Sequence, residues 1–340
     1  MTPNPSIQGG RAASAVPLLW ARGWPAAEHK VRAGKRESMR IKLALATCLL
    51  LLFGFASAFA QMTPERLRSA ASLAKDLEFP TEASGPSFPG SPRMELYKPD
   101  GTGPFPALVL HHQCGGLAGG RWVNASMLDW AKEAVARGYV ALLIDSLGPR
   151  GVKTVCMGPQ GGVNFMRGVK DALQAAEHLR KFDFVDKKRI ALVGYSWGAM
   201  IGVLASSSQW GTTLAAGDRF AAAVSFYPGC FTIKPPNGSP YEIVNADIDR
   251  PLLVLMGAKD TETPPGECVS RMEAARAAGA PVEWHVYPEA THCWDCQNLH
   301  GFSKTDFRGN QVVYYYDRSV TQDSARRMFE FLRKTLDAPP

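Results

Sequence analysis

The sequence predicts an α/β protein with a mostly parallel central sheet and helices on both faces. Three observations predict it. Short apolar runs alternate with amphipathic helical stretches, as expected of strands joined by helical crossovers. One run leads through Gly194-Tyr195-Ser196-Trp197-Gly198 into a stretch of small residues, the G-x-S-x-G turn that lifts a serine out of a sheet. Asp260 and His292 follow later apolar runs, and chemistry in such sheets gathers beyond the carboxyl ends of the strands.

The elements follow in order. Residues 64–77 read as a helix with Thr63 as cap and Pro64 at its first position, followed by a Pro/Ser/Gly-rich connection. Residues 93–98 alternate as an early strand, and 99–104 as a hairpin-like loop. Residues 105–111 are continuously apolar, as a central parallel strand should be. They run into a glycine-rich loop that reaches Gly120. A helix over 128–137 ends at Gly138, and a buried strand covers 139–144. The loop 146–162 is long enough to be functional. Residues 163–182 form an amphipathic helix, with Phe165, Val169, Leu173 and Ala176 on one face. After the strand at 190–193 and its turn come strands at 220–226, 251–256 and 282–287. Helices cover 267–278 and 319–336.

Residues 39–60 carry the parts of a secretory signal peptide: Arg40 and Lys42, an apolar run over 43–55, and Ala58-Phe59-Ala60 before Gln61. The short run and the cleavage pattern favour this over an uncleaved membrane anchor. Residues 1–38 read as an upstream leader, either a mis-assigned start or a disordered segment. Residues 61–92 then form an N-terminal extension and 93–340 the catalytic domain. The chain's net charge of +7 comes from 38 Lys+Arg against 31 Asp+Glu. Residues 1–60 hold eight basic and two acidic residues, so about +1 remains for the rest. Nucleic-acid binding is not expected from such a balance, nor is stable membrane insertion after cleavage. The expected destination is the periplasm or the medium. Six of the seven cysteines lie beyond residue 60, and an even number in an exported chain favours disulfides.

A serine hydroxyl is a weak nucleophile until a base takes its proton and donors receive the developing oxyanion. The order Ser196, Asp260, His292 supplies a nucleophile, an orienting acid and a base, each just past a strand end. Backbone N–H groups of Trp197 and Cys114 are the expected oxyanion donors. His300 is the nearest rival to His292. His111 and His112 read as structural.

With HQCGGL (112–117), IDSLGPRG (144–151), GYSWGA (194–199), FYPGC (226–230), GAKDTETPP (257–265) and YPEATH (287–292), the chain resembles the dienelactone hydrolase family of α/β-hydrolases over residues 90–337. The resemblance implies an α/β-hydrolase fold without a separate cap domain, and hydrolysis of ester or lactone carbonyls without a cofactor or metal. Two residues depart from the family pattern. Ser196 stands where the best-known members have cysteine, and Gln113 where this branch usually has glycine. The serine favours a general carboxylic-ester hydrolase acting on a small-molecule ester or lactone.

The C-x-x-C of Cys293 and Cys296 directly follows the expected base. A structural disulfide, free thiols or other pairings, and a redox or metal role all remain open for it. Cys230 and Cys268 follow strands on the carboxyl side, and the resemblance supports their pairing. That leaves Cys114 with Cys156, a bridge that would pin the long loop over the oxyanion site. Arg150 and Arg167 are expected either to meet a substrate carboxylate bidentately or to brace loops. The alternatives in function are another acyl-transfer hydrolase on the same three residues (peptidase, thioesterase or polyester depolymerase), a non-catalytic binding protein on this scaffold, and a thiol–disulfide protein.

Overall fold

The computed structural model describes residues 62–88, 90–119, 122–235 and 238–337. The expected leader and signal peptide lie outside the described residues. The first helix, α1 (Pro64–Ala71), starts where Thr63 accepts a hydrogen bond from the Arg66 N–H and ends earlier than its pattern suggested. The short strands β1 (Ala83–Ser84) and β2 (Glu95–Tyr97) precede the long strand β3 (Phe105–His111). A small hairpin follows, β4 (Ala118–Gly119) and β5 (Trp122–Val123), then α2 (Ala125–Ala136) and β6 (Val140–Ile144). Helix α3 (Phe165–Leu179) leads to β7 (Val185–Tyr195) and α4 (Trp197–Ala205). A short helix that the sequence reading missed, α5 (Ser208–Leu214), precedes β8 (Ala222–Phe226). The pair β9 (Thr232–Ile233) and β10 (Tyr241–Glu242) leads to β11 (Leu252–Gly257), α6 (Pro265–Ala277) and β12 (Val282–Tyr287). The last elements are β13 (Ser303–Thr305), β14 (Gln311–Val313) and α7 (Arg318–Leu336).

Eight strands form one sheet in the order β1-β2-β6-β3-β7-β8-β11-β12. Every pairing in it is parallel except β2 with β6. This corrects the hairpin expected at 99–104. The chain there does not return β3 onto β2, because β6 inserts between them. Strand alternation divides the core in two. Ala107, Val109, Ile190 and Leu192 face α1, α3, α4, α5 and α6, while Leu108, Leu110, Ala191 and Val193 face α2 and α7. Both faces are fully covered, which is why the central strands are apolar throughout.

The extension is not separate from this architecture. α1 packs on α3 and α5 through buried Leu67 and Ala71. Among the described residues no helix is long and apolar enough to cross a membrane. The six cysteines among the described residues form three disulfides: Cys114–Cys156, Cys230–Cys268 and Cys293–Cys296.

Candidate active site

The site lies beyond the carboxyl ends of β3, β7, β8, β11 and β12, which the sheet register holds nearly level. Gly194 of β7 lies opposite His111 and Ser225, and Gly257 opposite Tyr287. The turn after β7 is tight. Ser196 adopts φ 52°, ψ −110°, a strained conformation of the kind functional turns keep. A Cβ on Gly194 would run into the carbonyl of Gly198, and one on Gly198 into that of His111. Those two approaches are the physical content of the G-x-S-x-G spacing.

The loops after β11 and β12 meet the serine there. His292 Nε2 is 2.9 Å from Ser196 Oγ, and its Nδ1 is 2.7 Å from Asp260 Oδ2. An Nδ1–H donated to Asp260 leaves Nε2 free to accept the serine proton. The carboxylate is itself held. The N–H groups of Glu262 and Thr263 donate to Asp260 Oδ1 at 2.9 and 2.8 Å, and the Thr263 hydroxyl donates to Oδ2 at 2.7 Å. The acid and histidine loops are joined by hydrogen bonds from the N–H groups of Ala258 and Lys259 to the carbonyls of Tyr287 and Ala290. All three side chains are buried, yet Ser196 opens onto a cavity of about 770 Å³.

Burial lowers the basicity of His292. The Asp260 and Glu262 carboxylates outweigh it, and its pKa is raised above the ordinary histidine value. Glu262 is the side chain beside this cluster that the sequence reading overlooked. Its Oε2 lies 3.9 Å from His292 Nε2, it lines the cavity, and it is bound by Lys304 Nζ and the Tyr314 hydroxyl, each at 2.7 Å. Burial pushes the Glu262 carboxyl up, but His292, Lys304 and Tyr314 together hold it below the usual glutamate value. The signal was present in Asp260-Thr261-Glu262-Thr263, but its partners Lys304 and Tyr314 lie more than 40 residues away in sequence.

Trp197 opens α4, so its N–H has no acceptor within the helix. Cys114 borders the same cavity, and its carbonyl accepts from Val155 N–H, which ties the 146–162 loop to it alongside the disulfide. Gln113 points away into a buried polar cluster. It bonds Asn124, and its Nε2 is 3.3 Å from the Tyr227 hydroxyl, which donates to Asp295 at 2.7 Å. Burial raises the pKa of both Tyr227 and Asp295. Tyr227 packs its ring against His292 with centroids 4.7 Å apart. His112 accepts from Ser146 N–H through Nε2 and bonds the Gln113 carbonyl through Nδ1, and burial lowers the pKa of His111 and His112 alike. His300 is exposed and bonds Tyr316 N–H instead of any site residue.

Neither arginine lines the cavity; of the two readings open for them, the structure shows bracing and not contact with a substrate carboxylate site. Arg167 is fully buried. It bonds Asp171, Asp76 and the Ala71 carbonyl, each at 2.8 Å. Arg150 holds Asp171 through two contacts of 2.6 and 2.8 Å and the Lys75 carbonyl through two more. Their donors are already used by protein acceptors. The Cys293–Cys296 bridge likewise ties up both sulfurs of the cluster they form with Asp295, the only grouping of metal-capable side chains found among the described residues.

A model of the dienelactone hydrolase family matches residues 93–336. A Yersinia pestis protein named "Putative carboxymethylenebutenolidase" is 26% identical over 244 residues, covering 69% of this chain and 81% of that one. Among solved structures, the "Putative Dienelactone Hydrolase" of Klebsiella pneumoniae has a TM-score of 0.53 at 21% identity, covering 71% of this chain and 93% of its own. A thermophilic esterase from the planctomycete Thermogutta terrifontis has a TM-score of 0.51 at 18% identity, covering 71% and 88%. Both structures share the α/β-hydrolase fold.

Proposed function

Because the chain belongs to the dienelactone hydrolase family, we propose that this hydrolase cleaves carboxylic esters or lactones through a serine acyl-enzyme. The observation that carries the reading is the continuous hydrogen-bond path from Ser196 Oγ through His292 to Asp260. Ser196 attacks the carbonyl carbon while His292 Nε2 takes its proton. Asp260 stabilises the imidazolium across Nδ1. The N–H groups of Trp197 and Cys114 receive the oxyanion. Collapse expels the alkoxide, which takes the proton back from His292. Water then attacks the acyl-enzyme with His292 again as base, releasing the acid and regenerating Ser196.

The reading includes export. The leader over 39–60 supports it, as do the three disulfides, which form and persist in oxidising compartments. N-terminal sequencing of the protein recovered from its native host should begin at Gln61. Protein that keeps residues 39–60 and stays in the cytosol would refute this part.

The activity itself is tested with a fluorophosphonate probe and p-nitrophenyl esters. The wild type should be labelled and should hydrolyse the esters, and Ser196→Ala should do neither. Labelling that persists in the variant would sink the assignment.

A further inference from the structure

The cavity onto which Ser196 opens has two sources of wall. Much of it comes from the region the family shares: Phe165 and Met166 from α3, Met200 from α4, and Phe231 beyond β8. The rest comes from Met62, Arg66, Ser69, Ala70 and Leu73, which precede the family match at residue 93. Apart from Arg66, whose guanidinium is bound to the Ser239 hydroxyl, these side chains are apolar or small, and they border space that also touches Ser196, Trp197 and Thr263. At about 770 Å³ the cavity is far larger than an acetyl group. An acetyl ester would leave most of that wall unused.

The segment is anchored to the shared domain by several side-chain hydrogen bonds. Arg167 donates to the carbonyls of Ala71 and Ala74, and so satisfies the orphan end of α1. Arg150 donates twice to the Lys75 carbonyl, Asn164 to that of Ala70, and Gln209 to that of Met62. Arg66 reaches across to the Ser239 hydroxyl at 2.6 Å, which joins α1 to the loop between β9 and β10 on another border of the same cavity. Arg150 and Arg167, for which a substrate carboxylate and a bracing role were both open, thus hold this wall in place.

We propose that residues 62–74 are a specificity-determining wall of the active-site cavity, selecting esters that carry a large apolar acyl or alkoxy group. The proposal rests on the ester-hydrolase reading above. Without this segment a long apolar group would lose the surface that borders it on this side.

Ser69→Trp and Ala70→Trp narrow the cavity from this side. Ser69 is exposed and Ala70 partly so, so a larger side chain at Ser69 leaves the core of the fold alone. Two pairs of esters report on the two sides of the scissile bond: p-nitrophenyl octanoate against acetate, and octyl acetate against ethyl acetate. The expected result is a long-to-short ratio of kcat/KM at least tenfold below wild type in one pair or both, with fluorophosphonate labelling of Ser196 retained. Ratios within twofold of wild type in both pairs, with labelling intact, overturn the proposal. A wild-type protein that the probe does not label overturns the serine-hydrolase reading, and this one with it.

Discussion

Glu262 holds a carboxylate oxygen 3.9 Å from Nε2 of His292, on the opposite side of the ring from Asp260, which is 2.7 Å from Nδ1. The imidazole therefore sits between two buried carboxylates. Its other charged neighbour, Lys304, acts in the opposite direction, from 2.7 Å beyond Glu262. Tyr227 and Tyr314 complete its surroundings with uncharged rings.

This arrangement predicts the pH profile. A general base works only when neutral, so kcat/KM should rise with pH through the pKa of His292. Glu262 is anionic and raises that pKa. In Glu262→Gln one of the two raising charges is gone, and the acid limb of kcat/KM should move to lower pH. An acid limb at the wild-type position would show that Glu262 does not govern the base.

Asp260 accepts two backbone N–H bonds, the Thr263 hydroxyl and the His292 ring. In Asp260→Asn the amide can no longer accept from Nδ1–H at every orientation, and the tautomer that leaves Nε2 free is lost. The expected fall in kcat is about 10⁴-fold, with KM little changed. A loss of tenfold or less, measured on p-nitrophenyl acetate, would exclude Asp260 as the orienting acid.

Arg167 is buried with Asp171 at 2.7 Å. Without Arg167, Asp171 would keep Arg150 as its partner, but the buried Ala71 carbonyl and the Gln174 side chain would lose their donor, at a cost of about 1–3 kcal/mol for each acceptor left unsatisfied. Arg167→Met should show that loss in urea unfolding. A substrate-binding arginine would behave differently, raising KM for anionic esters at unchanged stability, and that pattern would reverse the assignment made from the structure.

The Cys114–Cys156 bridge closes a loop with a sequence separation of 42. A loop of that size contributes about 4 kcal/mol by the chain-entropy argument, and measured bridges commonly give 2–4. The double variant Cys114→Ser, Cys156→Ser should unfold at lower urea by that margin. It should also lose activity, because Cys114 borders the cavity beside Ser196. Unchanged stability would mean that the hydrogen bonds from Thr154 and Val155 to the Cys114 carbonyl suffice to hold the loop.

Residues with local signatures were readable before folding. Ser196, Asp260 and His292 each follow a strand end, and a sheet brings such positions together whatever the intervening loops do. Strand β3 and strand β12 match the predicted boundaries because each is a bounded apolar or alternating run. Helix α5 was missed because its seven residues are too few to show a period. The 99–104 turn was misread because adjacency in sequence suggested a hairpin, while the pairing energy lay with β6.

By itself the sequence determined the fold class, the order in which the proposed nucleophile, acid and base follow their strands, and the turn geometry that two glycines permit. These depend on periodicity and close backbone approach, which are local properties. Only the tertiary structure decided which charges face His292, what Arg150 and Arg167 hold, and that residues 62–74 wall the cavity. A charged side chain takes its role from whichever acceptors surround it. For Arg167 those acceptors include carbonyls more than 90 residues upstream, and no spacing rule in the chain encodes that encounter.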